Sequence, residues 1–110
     1  MIVKIYRNKR GGEPFTEWLE SIKDRVTQAR IRQRLRRIEF GNLGDHRSVG
    51  EGVFELRLHF GPGYRVYYGQ IGDKIILLLV GGEKDTQQRD IKQAKAYWHE
   101  YIRGQKNGKV

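Results

Sequence analysis

The chain contains no cysteine, which excludes a disulfide framework and any thiolate metal site. It has few histidines, and His46, His59 and His99 stand too far apart to read as a zinc cluster. No Walker loop, dinucleotide fingerprint or nucleophile-elbow serine occurs. Long apolar runs are missing as well: the longest, Ile75 to Val80, falls far short of the roughly 20 residues that a membrane span needs. The N-terminal MIVKIYRNKR carries charges where a secretory signal would be apolar. The expectation is a cytoplasmic protein, not bound to membranes, that works without a metal or other cofactor.

What is present is positive charge. The 110 residues hold 22 Lys and Arg against 13 Asp and Glu, a net charge of +9. A field of that sign around so small a body attracts polyanions: nucleic acid, the ribosome, an acidic protein or an anionic membrane. A merely basic, soluble surface is the alternative reading. The length suits one domain, 1–110, with a core large enough to fold unaided.

Periodicity then supplies the elements. IVKIY (2–6) alternates as a short strand does. Pro14 suits the first turn of a helix, and Phe15, Trp18, Leu19 and Ile22 fall on one face of it to about Lys23. A second helix runs from Val26 or Thr27 to Phe40, with Ile31, Leu35 and Ile38 as its buried stripe and Gly41 as its stop. GNLGDHRSVGEG (41–52) reads as a loop. VFELRLHF (53–60), GYRVYYGQI (63–71) and KIILLLV (74–80) read as a three-stranded meander, the last strand buried on both faces. Thr86 can cap a final helix that runs to about Arg103, with residues 104–110 as a frayed tail. The order is β-α-α-β-β-β-α, an α+β fold with a small, mostly antiparallel sheet packed with helices.

The meander's hairpin holds the main candidates. With Gly61-Pro62-Gly63 as a three-residue turn, Leu58 opposes Val66, His59 opposes Arg65 and Arg57 opposes Tyr67. The apolar pairs then share one face and the polar pairs the other. Arg57 and Arg65 become diagonal neighbours on the non-core face, beside His59 and Tyr67. Two guanidinium groups so close need an anion between them. Glu55 can supply it as a cross-strand salt bridge on a solvated face, worth about 0–1 kcal/mol. A phosphate can supply it instead, since guanidinium forks match phosphate oxygens bidentately. Both readings stay open on the residues alone.

Other groups can join that face. Lys84 follows the last strand just past Gly81-Gly82, and Gln87, Gln88 and Asp90 begin the final helix. Each has a plain reading too, as a solvated lysine or a helix-start residue. Arg30, Arg32, Arg34, Arg36 and Arg37 make the second helix either a nucleic-acid or partner surface or a charged solvent face. His46 and His99 read as surface or partly packed histidines; Tyr97, Trp98 and Tyr101 read as core aromatics.

GNLGDHRSVGEGVFELRLHFGPGYRVYYG, then LLLVGGEKDTQQRDIKQAKAYW, together with PFTEWLESI, resemble the RelE/ParE toxin superfamily. The resemblance is nearest to its HigB-like, phage-derived addiction module killer branch and covers most of residues 2–103. It implies the toxin of a type II toxin–antitoxin pair. Many such proteins cut mRNA in the ribosomal A site without a metal, with the RNA's 2′-hydroxyl as nucleophile; the ParE-like members inhibit DNA gyrase. By position it implies Arg57, Arg65 and Lys84 as catalytic residues. Beside them, His59, Tyr67 and Gln87, with Arg30, Arg34 and Arg37, would bind RNA. Some relatives place a tyrosine or histidine near the C-terminus as acid or base, where this chain has His99 and Tyr101 in a helix. Lys84 or His59 could also move protons, and Tyr67 could stack a base. The implied partners are an adjacent helix-turn-helix antitoxin, mRNA and the ribosome.

Overall fold

Alternating and apolar segments build the centre of a sheet, and a computed structural model, which describes residues 1–107, shows it with five strands. They are β1 (Ile2–Ile5), β2 (His46–Gly50), β3 (Val53–Arg57), β4 (Arg65–Ile71) and β5 (Ile75–Gly82). The helices are α1 (Pro14–Ser21), α2 (Arg25–Glu39) and α3 (Gln87–Asn107), the last preceded by a short 3-10 turn, Lys84–Thr86. The spatial order is β1-β5-β4-β3-β2, antiparallel except for the parallel pair β1 and β5. The fold is mixed α+β. Among the described residues no helix is long and apolar enough to cross a membrane.

Helices cover the sheet on both sides. Phe15 and Leu19 of α1 and Ile31, Leu35 and Ile38 of α2 pack with Leu56, Val66, Tyr68, Ile76 and Leu78 in one core. Tyr67, Leu77, Leu79 and Val80 meet Ala94 and Trp98 of α3 in a second core on the opposite face. A bulge serves this second core. Tyr67 pairs with Val80 but Tyr68 with Leu78, so Leu79 is an extra residue in β5 and joins Val80 on the α3 side.

Each outer layer sits on a glycine. A methyl group at Gly81 would overlap the Trp18 ring of α1, and one at Gly69 would overlap the Trp98 ring of α3. The missing side chains let the indoles lie flat on neighbouring strands, one on each face. At the start of α2, Asp24 accepts the Val26 N–H at 3.0 Å, a normal N-cap.

Three expectations need correction. The segment 41–52 is not all loop, because it holds β2. Its exposed HRSVG has little strand signal of its own and is recruited by the ladder of β3. The final helix does not stop near Arg103 but runs on to Asn107, so residues 104–107 are helical rather than frayed; residues 108–110 lie outside the described residues. The hairpin turn is also longer than Gly61-Pro62-Gly63. Strand β3 ends at Arg57 and β4 starts at Arg65, and the Leu58 N–H closes the connection on the Tyr64 carbonyl at 2.9 Å.

Replacing Gly69 with alanine forces a methyl group into the Trp98 ring. Overpacking of this kind costs about 1–3 kcal/mol, and a lowered thermal midpoint of the variant, followed by circular dichroism, is the expected result.

Candidate functional site

The longer turn changes the hairpin register. Arg57 stands directly opposite Arg65, not diagonal to it, and Tyr67 faces Glu55. The slip is two residues, so every strand side chain keeps its face. Its cause is the path of residues 58–64. Leu58 turns into the core, while Phe60 packs edge-on to Tyr64 and lies under the Arg30 guanidinium at 4.1 Å. Gly61 and Gly63, at φ +62° and +80°, permit the tight bends.

The anion between the arginines is Glu55. Glu55 is fully buried, and three arginines converge on its Oε1: Arg47 Nε at 2.9 Å, Arg57 Nε at 3.1 Å and Arg65 Nη1 at 3.1 Å. Its Oε2 accepts from Tyr67 Oη at 3.0 Å and Gln87 Nε2 at 2.8 Å. The salt bridge is therefore real, but it does not lie on a solvated face, because α3 covers that side. Burial pushes the Glu55 carboxyl up, yet the hydrogen bonds from Gln87, Arg47, Arg57 and Tyr67 outweigh it and hold the group at about 2.

Tyr67 cannot stack a base. Its ring is fully buried, and its hydroxyl is committed to Glu55. Burial, with the Glu55 charge beside it, pushes that hydroxyl far above its ordinary range, so it remains a neutral donor. Gln87, the first residue of α3, likewise uses its amide on Glu55. Arg47 was missed by sequence reasoning because it lies on β2, inside the segment read as loop. Only the recognition of that strand would have placed it opposite Glu55.

The arginines are unevenly exposed. Side-chain exposure is 48% for Arg47, 37% for Arg57 and 12% for Arg65. Arg65 Nε is enclosed and has no hydrogen-bond partner among the described residues. Lys84, exposed in the 3-10 turn, lies against Gly63 just beyond the Arg65–Gly82 pair.

A cavity of about 420 Å³ opens beside this cluster, lined by Arg30, Arg34 and Arg37 of α2 and by Arg57, His59 and Phe60. A second hollow of about 310 Å³ continues around the turn to Gly63, Tyr64 and Arg65. The two share Arg57, His59 and Phe60, so they form one trough around the hairpin tip. Arg34 is held there by the Leu43 carbonyl, under Gly44, whose lack of a side chain leaves room for the guanidinium. His59 is not on a strand face. It lies in the turn and bonds Asp45 Oδ2 through Nε2 at 2.6 Å on the rim. Arg32 and Arg36 do not line the trough.

His99 and Tyr101 are elsewhere. His99 pairs with Glu51 in the β2–β3 turn at 3.4 Å, and Tyr101 stacks on Trp98. At 1.5 Å per residue they lie about 18 Å or more along α3 from Gln87.

No family model matches the chain. It is 48% identical over 81 residues to an uncharacterized protein of Haemophilus influenzae, a match that spans 74% of this chain and 82% of that protein.

The Glu55 carboxyl titrates near 4.5 in an unfolded chain and at about 2 in the fold. Its contribution, on the order of 3 kcal/mol, is therefore full above pH ~4.5 and disappears as pH falls toward 2. Chemical denaturation across that window should show the loss, and the slope there should flatten in Glu55→Gln.

Proposed function

We propose, from the premise that the chain belongs to the same family as that Haemophilus influenzae protein, that it is an RNA-cleaving toxin of the RelE/ParE superfamily, HigB-like branch. The observation that carries this reading is the arginine cluster beside the trough: three guanidinium groups share one carboxylate, which leaves two positive charges in excess, and two of the three, Arg57 and Arg65, line the trough. A phosphodiester is the anion that such forks accept bidentately. The element order supports a RelE-like topology, to which β2 adds a strand ahead of the meander.

Cleavage by the RNA's own 2′-hydroxyl needs a base, an acid and positive charge at the pentavalent phosphorane. Arg57 and Arg65 supply the charge, each worth about 10²–10³ in rate. His59, which lines the trough, and Lys84, which lies against Gly63 at its edge, are the groups that can carry protons, each worth about 10²–10⁴. His59 has Asp45 to orient its ring, and Lys84 stands on the Arg65 side. Arg30, Arg34 and Arg37 hold the strand's neighbouring phosphates in the α2 half of the trough. The protein then acts on mRNA at the ribosome, in the cytoplasm, and is held inactive by a helix-turn-helix antitoxin whose acidic segment covers the basic face.

Brief induction in a bacterial host, with RNA 5′ ends mapped, tests this. New cuts at codon positions are expected. Intact mRNA with an SOS response would overturn the reading in favour of gyrase inhibition. Arg57→Ala and Arg65→Ala should each abolish growth arrest, with Arg57→Ala, the more exposed of the two, keeping the folded circular-dichroism spectrum at a lowered thermal midpoint, since it removes one of the five donors to buried Glu55.

A further inference from the structure

Glu55 stands between the trough and α3 and touches no solvent. It takes one donor from each of three guanidinium groups and two neutral donors on its other oxygen. The atoms involved matter. Arg47 and Arg57 both bind through Nε, which leaves their Nη pairs free among the described residues. That outer pair is the part of a guanidinium that can grip two oxygens of one phosphate. Arg65 binds through Nη1, and its Nε has no partner. One carboxylate oxygen thus fixes one nitrogen of each of three forks that start from three different strands.

We propose that Glu55 is a positioning residue: its buried carboxylate locks one nitrogen each of Arg47, Arg57 and Arg65, so that the remaining exposed donors of Arg57 and Arg65 face one phosphodiester at the hairpin tip, with Arg47 holding the carboxylate from the β2 side. This rests on the RNA reading above and adds to it the group that aligns the arginines. Tyr67 and Gln87 belong to the same device. They hold Oε2, and so stop the carboxylate from turning away from the arginines. An arginine free to rotate would lose side-chain entropy on gripping a phosphate, and one already held by Glu55 loses less.

The electrostatic alternative predicts the opposite sign. If Glu55 only neutralises charge, its removal makes the site more positive and a polyanion binds more tightly. If Glu55 positions the forks, its removal weakens binding although the charge has risen. The experiment measures fluorescence anisotropy of a labelled single-stranded 2′-deoxy-oligonucleotide, about 12 nucleotides long, which lacks the 2′-hydroxyl and is not consumed. Glu55→Gln, confirmed as folded by circular dichroism, should bind about tenfold more weakly than wild type at matched salt, with a shallower salt slope as phosphate contacts are lost. Equal or tighter binding overturns the proposal.

Should Glu55→Gln fail to fold, Gln87→Leu releases one side of the carboxylate without changing charge. A few-fold weaker affinity is expected for it, and an unchanged affinity overturns the proposal. Arg57→Ala serves as the reference. If it weakens binding while the folded Glu55 or Gln87 variant does not, positioning fails and the RNA site stands. If wild-type protein does not bind the probe, both readings fall.

Discussion

The structure turns on one of its two buried carboxylates among the described residues, that of Glu55. An ionised carboxylate without solvent is costly unless it is paired and hydrogen-bonded. Glu55 meets that condition with donors from β2, β3, β4 and α3. The requirement acts in both directions. The arginines make the burial of Glu55 possible, and Glu55 lets three like charges crowd at one end of a small sheet. Without it the hairpin tip would hold unbalanced guanidinium groups beside the second hydrophobic core.

That second core explains why an apparently solvated face is not one. Glu55, Arg57, Arg65 and Tyr67 alternate with apolar residues, which in a single pair of strands reads as a wet face. The bulge at Leu79 brings two apolar residues to the same side, and the glycine at 69 admits Trp98, so α3 can seal most of it. Only the hairpin end stays open, where α3 gives way to its preceding turn and the trough begins. The cation-rich helix α2 reaches the trough from the other side of the sheet, through Arg30, Arg34 and Arg37.

Much of this was legible in the residues. The helical stripes of Phe15 and Leu19, and of Ile31, Leu35 and Ile38, mark faces that are buried. The pairing of Arg57 with Arg65 as neighbours on one face followed from alternation, because a two-residue slip preserves faces. The register itself did not follow, since it depends on where Phe60 and Leu58 pack, and that is tertiary. Strand β2 was hidden for a related reason: its pairing is supplied by β3 rather than by its own HRSVG. The burial of Tyr67 was missed because nothing local says that a helix beginning twenty residues later will cover it. His99 and Tyr101 carry the right chemistry for an acid or base, yet the length of α3 takes them to the far end of the sheet.

The parallel pairing of β1 with β5 joins the first strand of the chain to the last, and Gln87 reaches Glu55 from 32 positions away. Both contacts are of high sequence separation, and such contacts form late because a long loop must close first. On a ribosome the chain emerges from its N-terminus, so Arg47, Arg57 and Arg65 leave the tunnel well before the residue that completes their carboxylate's shell. The cluster is in this sense a property of the finished polypeptide. A chain still being made holds all three arginines but not yet the arrangement that gathers them.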